Sequence, residues 1–266
     1  MSDFIKKYEI WIFLVLAPII NALFVYARTK GLVPGFVYTH GRFYILLFLL
    51  VCIVKYTRGT SGIKDMFRPM LKWNINPLWY LFGFLFAMTM GTLTLLLKGL
   101  YLDIEYSSLL KLNFAATSPR GSLVILIWAF LGEVVWVSYC LRELSKIMKP
   151  FYASQVVGFF WTLWWIPIVI LGEGVIPDFP IWALLIGMLG TAGMCAVVYG
   201  QTKSGLCVWI LQFMLNMSLI LLPVSPRVGG VPTYITFAII YFITMLAFMY
   251  FMNPIKKMKV VESNLS

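Results

Sequence analysis

Residues 181–200 read IWALLIGMLGTAGMCAVVYG, twenty consecutive positions without a charged side chain. A stretch of about 20 apolar residues is long enough to cross the hydrocarbon core of a bilayer as one α-helix. Similar apolar runs recur along the chain and predict about eight spans, at approximately 9–27, 42–56, 77–98, 121–144, 151–171, 181–200, 205–222 and 233–252. The pattern therefore predicts an all-α, polytopic membrane protein.

The composition of the whole chain supports this fold class. Of its 266 residues, 61% are hydrophobic and only 12% are charged, whereas soluble domains carry roughly 25% charged residues. These values exclude a water-soluble enzyme and a disordered chain. Continuous apolar runs also differ from the alternating pattern of β-barrel strands. Residues 1–266 are predicted to form a single transmembrane domain.

The basic residues predict the orientation of the chain. The formal net charge is +11, and Lys and Arg lie mainly in the short loops between apolar runs. With a cytoplasmic N-terminus, fourteen of them face the cytoplasm and seven face the other side. By the positive-inside rule, both termini are predicted to be cytoplasmic. The lipid bilayer is the expected partner, and nucleic acid is not.

The chain shows no pattern typical of a cofactor or metal site. Its four cysteines lie inside apolar runs without a CxxC pair, and His40 is the only histidine. We therefore expect no metal and no cofactor. The many lysines and short outer loops fit a prokaryotic plasma membrane, with an endomembrane as the alternative.

Few polar residues within the spans could carry chemistry. Glu133 lies near the middle of the fourth span, where an ionisable side chain is energetically expensive; it is either a general base or ligand contact, or a structural hydrogen-bonding residue. Gln212 and Asn216 are four positions apart and share one helix face. Such amides either bond neighbouring helices or act as oxyanion donors.

Three stretches around these residues resemble the motifs of the CAAX-protease and bacteriocin-processing (Abi) membrane family, which includes the type II CAAX prenyl endopeptidases. The first family motif is Glu-Glu-x-x-x-Arg within a helix, usually after a Gly. In this chain Glu133 follows Gly132 and matches the first Glu. Val134 stands at the second Glu and Ser138 at the Arg.

The other two motifs follow in the family's order, and the core of the resemblance covers roughly residues 120–222. The second motif ends in Leu-Trp-His-x-Pro, and residues 163–167 read LWWIP, so that Trp165 replaces the His. The third motif is His-x-x-x-Asn, where Gln212 replaces the His and Asn216 is kept.

The resemblance implies a glutamate-dependent intramembrane peptidase fold with a substituted site. Carried over by position, Glu133 would be the base, Asn216 an oxyanion donor and Gln212 a hydrogen-bond donor. Trp165 cannot replace the His, since an indole N–H cannot accept a proton. General acid–base help contributes about 10²–10⁴ in rate. The substitutions therefore imply that most peptidase activity is lost.

Three functional hypotheses follow from these observations. The favoured one is a pseudoprotease that acts as a membrane scaffold or binds another membrane protein or a membrane-bound peptide. The second is an active, altered endopeptidase that uses Glu133 and Asn216. A small transporter or channel is the third, with little support, because the chain shows no visible inverted repeat.

Overall fold

The computed structural model describes residues 2–173 and 179–252, and within these ranges every regular element is helical. The α-helices are α1 Ser2–Lys7, α2 Glu9–Thr29, α3 Gly35–Phe67, α4 Pro77–Leu102, α5 Tyr106–Leu109, α6 Pro119–Glu133, α7 Arg142–Leu144, α8 Pro150–Ile170, α9 Ile181–Thr202, α10 Gly205–Leu221 and α11 Val231–Phe251. A π-helix, Val134–Leu141, joins α6 to α7. The predicted all-α fold is confirmed.

The predicted spans correspond to seven long helical segments and one shorter helix in the described part of the chain. The seven segments are long and apolar enough to cross a membrane, whereas α10 has 17 residues. At 1.5 Å per residue α10 rises about 26 Å, slightly less than a bilayer core of about 30 Å. The Ser204 hydroxyl fixes its start by accepting a hydrogen bond from the backbone N–H of Cys207 at 3.2 Å.

The second predicted span, 42–56, is too short. Helix α3 extends from Gly35 to Phe67, and its regular geometry is interrupted at Gly59, where φ is +68°. Few residues other than glycine adopt this backbone conformation. The prediction counted only apolar residues, but backbone hydrogen bonds continue the helix into polar sequence at both ends. The basic segment 62–73, predicted as a surface segment, forms the end of α3 and a 3-10 turn, Arg68–Leu71.

A buried charge cluster ties three helices together at one end of the bundle. Arg58 on α3 lies 2.7 Å from Glu9 on α2 and 2.9 Å from Glu143 on α7. Lys146 lies 2.7 Å from the other Glu143 oxygen, and the Tyr139 hydroxyl donates a hydrogen bond to Glu9. This end carries the loops that the charge pattern predicts to be cytoplasmic.

Some residues used in the orientation prediction lie outside the described ranges. They are the C-terminal lysines Lys256, Lys257 and Lys259. Residues 174–178 of the predicted outer loop, which include Asp178, also lie outside these ranges.

The long helices pack as two groups with the π-helix beside them. Helix α9 packs against both α8 and α11, while α10 packs against α4 and α6. The π-helix contacts α3, α8 and α9, so it connects the two groups. This arrangement leaves α10 and α6 facing α8, α9 and α11 across the interior of the bundle.

Candidate functional site

Glu133 lies at the junction of α6 and the π-helix and has no exposed surface. Its Oε1 accepts a hydrogen bond of 2.7 Å from the Ser138 hydroxyl. A π-helix is built on i→i+5 hydrogen bonds, so the residue five positions after Glu133 lies near it on the helix surface. The π-helix thus explains why Ser138, at the position of the family's Arg, reaches the carboxylate.

The first turn of α10 closes over this carboxylate. A Cβ atom built at Gly205 would lie 3.0 Å from Glu133 Oε1, 2.7 Å from Ser138 Oγ and 2.6 Å from Met70 Sδ. Only a glycine allows the α10 backbone to approach this closely. Val134, at the position of the motif's second Glu, is completely buried among apolar side chains. The carboxylate is therefore enclosed by protein on the described sides.

A cavity of about 490 Å³ lies between the two helix groups, next to this junction. The motif positions Trp165, Gln212 and Asn216 line it, together with Gly132, whereas Glu133 does not. The lining positions on α3 and α8 are remote from the Arg58 end of the bundle. The structure thus brings three of the sequence-predicted residues to one cavity and leaves Glu133 behind its wall.

The two amides differ in their surroundings. Gln212 is 3% exposed, and its Nε2 has no hydrogen-bond partner among the described residues. Asn216 is exposed, and its Nδ2 donates to the backbone carbonyl of Gln212 at 2.8 Å. The buried Cys195 lies close enough to interact electrostatically with both Gln212 and Glu133. Gln212 is consequently the motif residue closest in environment to both the cavity and the enclosed carboxylate.

Trp165 forms part of the cavity wall at the position of the family's His. Its ring packs edge-on against Trp164, with centroids 5.3 Å apart and an interplanar angle of 90°. The indole can donate a hydrogen bond but cannot take up a proton. This part of the wall can bind a ligand but cannot act as a base.

The sequence analysis missed Arg42 as a candidate. It lies on the second turn of α3, is only 8% exposed and lines the same cavity. Its guanidinium carbon lies 5.0 Å from the Tyr38 ring centroid and 5.3 Å from that of Trp165. In the sequence it follows His40 and Gly41 at the edge of an apolar run, so it was assigned to a loop.

The chain was compared with known families and proteins. No family model, no curated protein and no solved structure matches it. The length and apolar character of its helices nevertheless identify its class. The chain is an integral, multi-pass membrane protein. The described residues contain no group of three or more His, Cys, Asp or Glu side chains that could hold a metal ion.

Proposed function

We propose that this membrane protein is a pseudoprotease with a CAAX-protease-like (Abi) bundle. It would act as a scaffold or binding protein for another membrane protein or a membrane-bound peptide. The order of the three motifs and the loss of both motif histidines support this proposal, as does the loss of the second Glu and the Arg. A pseudoprotease retains the bundle and the membrane location without hydrolysis.

The enclosure of Glu133 is the observation that carries the proposal. A glutamate-dependent peptidase needs a water molecule within hydrogen-bonding reach of the carboxylate, and oxyanion donors facing the same reacting atom. Here the carboxylate lies against Gly205 and Ser138 and does not line the cavity. The Asn216 amide, meanwhile, donates to its own helix. This arrangement favours binding over catalysis.

One observation favours the altered endopeptidase as a second candidate. Glu133 Oε2 and Gln212 Nε2 both lack a hydrogen-bond partner among the described residues. Buried polar atoms without partners are uncommon and are frequent at functional sites. A water shared by these two atoms would restore part of the hydrolytic arrangement. The two candidates make opposite predictions for Glu133.

Cleavage assays in proteoliposomes distinguish the two candidates. The wild-type protein and the Glu133→Gln variant are incubated with prenylated and unprenylated peptides and with a transmembrane peptide panel, and the products are analysed by mass spectrometry. A pseudoprotease gives the same product profile for both proteins. Cleavage by the wild type that disappears in Glu133→Gln would refute the proposal and favour the endopeptidase.

The binding role is tested by cross-linking in native membranes. Glu133→Gln keeps an oxygen that can accept the Ser138 hydrogen bond, so the bundle should remain folded. We expect cross-linking to recover the same membrane-protein adducts with the variant and the wild type. Adducts that disappear only in Glu133→Gln would show that the carboxylate takes part in the function.

A further inference from the structure

We propose that the 490 Å³ cavity binds a membrane-borne amphiphile with a carboxylate or phosphate head, and that Arg42 holds this head. The apolar part of the ligand would lie against the aromatic walls. This inference goes beyond the proposed function, because it does not depend on whether Glu133 is catalytic.

The state of the Arg42 guanidinium carries the first step. The side chain is more than nine-tenths buried, and its Nε and Nη1 atoms have no hydrogen-bond partner among the described residues. No ion pair to Arg42 is found there either, although the other buried cation at the opposite end, Arg58, contacts two carboxylates. A buried guanidinium with unsatisfied N–H groups is expensive unless an anion binds it.

The aromatic rings around Arg42 stabilise its charge but do not complete its hydrogen bonds. The guanidinium lies over four ring faces, with centroid distances from 5.0 to 5.6 Å; the rings belong to Tyr38, Phe43, Trp164 and Trp165. A ring face attracts the positive charge through its quadrupole. It supplies no oxygen for the fork of N–H donors, which matches a carboxylate or phosphate in a bidentate pair.

The charge of the cavity also favours an anion. Arg227 lines the same cavity, and no Asp or Glu occurs among the lining residues. The amides of Gln212 and Asn216 add polar groups that can donate to head-group oxygens. Two arginines without a lining carboxylate create a positive potential inside a low-dielectric wall.

The remaining walls favour a ligand with a large apolar part. The lining includes Trp128, Trp161, Phe237 and Leu219, so most of the surface is aromatic or aliphatic. Ligand sites of about 300–1,000 Å³ are commonly apolar with a few placed polar groups. A small hydrated anion would leave these walls unused, whereas an amphiphile from the bilayer matches both the charge and the walls.

Two structural roles for Arg42 are the alternatives. A second space of about 10 Å³ is lined by Arg42 and by Asn21, whose Oδ1 lacks a partner among the described residues. That volume is close to the minimum that holds one water, which could bridge the two side chains. An ion pair with Asp178, outside the described residues, is the other alternative.

Direct binding measurements in nanodiscs of zwitterionic lipid test the proposal. Four probes are compared: a brominated long-chain fatty acid, its uncharged methyl ester, a lysophosphatidic acid of matched chain length and inorganic phosphate. Bromine quenches tryptophan fluorescence at short range, so Trp164 and Trp165 report the first two probes. The two others are measured by competition. We expect both anionic amphiphiles to bind at least about tenfold more tightly than the ester or free phosphate.

Variants locate the site. Arg42→Gln should weaken both anionic amphiphiles by at least about tenfold, while the exposed Arg120→Gln, which does not line the cavity, should change affinity by less than about twofold. Leu215→Trp keeps Arg42 and fills the cavity, so it should also abolish binding. It serves as the second variant if Arg42→Gln does not fold.

Several outcomes would overturn the inference. Equal affinity for the acid and the ester would show that no anion site exists, and tight binding of inorganic phosphate alone would exclude the amphiphile. Binding that survives both Arg42→Gln and Leu215→Trp would place the ligand elsewhere. If Asp178→Asn creates anion binding that the wild type lacks, Arg42 is paired with Asp178 in the native protein. If wild-type anion binding is absent and only Asn21→Leu changes stability, Arg42 has the water-bridged structural role.

Discussion

Gly205→Ala tests the enclosure of Glu133 directly. The added methyl group would lie 2.6 Å from Met70 Sδ, 2.7 Å from Ser138 Oγ and 3.0 Å from Glu133 Oε1. Met70 is partly buried and flexible, so it can move. Ser138 and Glu133 are completely buried and joined by a 2.7 Å hydrogen bond, so α10 or the π-helix must shift instead.

The expected cost follows from this overlap. Inserting a methyl group into a well-packed core typically costs about 1–3 kcal/mol. Replacing glycine by alanine in a helix interior gains up to about 1 kcal/mol, but Gly205 is the first residue of α10 and gains less. For a chain of this size, 1 kcal/mol corresponds to roughly 2–4 °C in Tm. We expect Gly205→Ala to lower the Tm by about 2–10 °C.

Three of the four cysteines give a direct readout. Cys140, Cys195 and Cys207 are buried, and Cys52 is exposed. A thiol-reactive fluorescent dye therefore labels Cys52 at once and the others only when the bundle unfolds. Heating the purified protein with this dye in detergent gives the Tm of wild type and variants under identical conditions.

Gly132→Ala is the matched control. It lies next to Glu133, but its added methyl group would be 3.4 Å from Gln212 Oε1, an ordinary contact. Its Tm should stay within about 3 °C of the wild type. A Gly205→Ala protein that melts at or above the wild-type temperature would refute the close packing of α10 on the carboxylate. So would an equal loss in both variants.

Three further predictions use the same melting assay. Ser138→Ala should lower stability by about 1–3 kcal/mol, because Glu133 Oε1 loses its donor while remaining buried; the conservative Ser138→Thr should lose less. Gly59→Ala should cost about 1–3 kcal/mol, since φ is +68° there, although no atom lies within 4 Å of the added Cβ. Partial burial, and then the nearby Lys72, lowers the pKa of Lys203 below 10.5. The unfolded chain therefore binds more protons than the folded one as the pH approaches 10.5, and stability should rise with pH in this window; Lys203→Gln should flatten that rise.

The sequence predicted the class of fold well because the bilayer imposes one strong constraint. A spanning segment must satisfy its backbone hydrogen bonds internally, so long apolar runs become helices. The same rule gives poor helix ends. Residues 35–41 and 57–67 continue α3 although they include polar side chains, and nothing in hydropathy marks where backbone hydrogen bonding stops.

The local geometry of the candidate site was much harder to predict. Residues 121–144 look like one continuous apolar helix, and no sequence signal marks the change to π geometry at Val134. That change aligns Ser138 with Glu133. The importance of Gly205 depends on how closely two distant segments approach, which is a property of packing and not of either sequence alone.

Arg42 shows why the sequence indicated the wrong polar residue for ligand binding. A charge at the centre of a span is recognisable because it is expensive there, and this singled out Glu133. A charge near a span boundary is normally assigned to the interface, where its side chain can extend to water. In the structure, Tyr38 and Trp164 cover Arg42 and bury it. Its burial arises from the aromatic residues of two helices.

The buried charges are stabilised in three different ways, and the differences indicate where a ligand would bind. Glu9, Arg58 and Glu143 neutralise one another, so this cluster needs no further group. Glu133 retains one unpartnered oxygen but faces packed protein. Arg42 retains unpartnered N–H groups and also lines a large cavity. Only at Arg42 does an unsatisfied buried charge meet a space that a ligand could occupy, and for this reason the binding experiments should begin there and not at the motif glutamate.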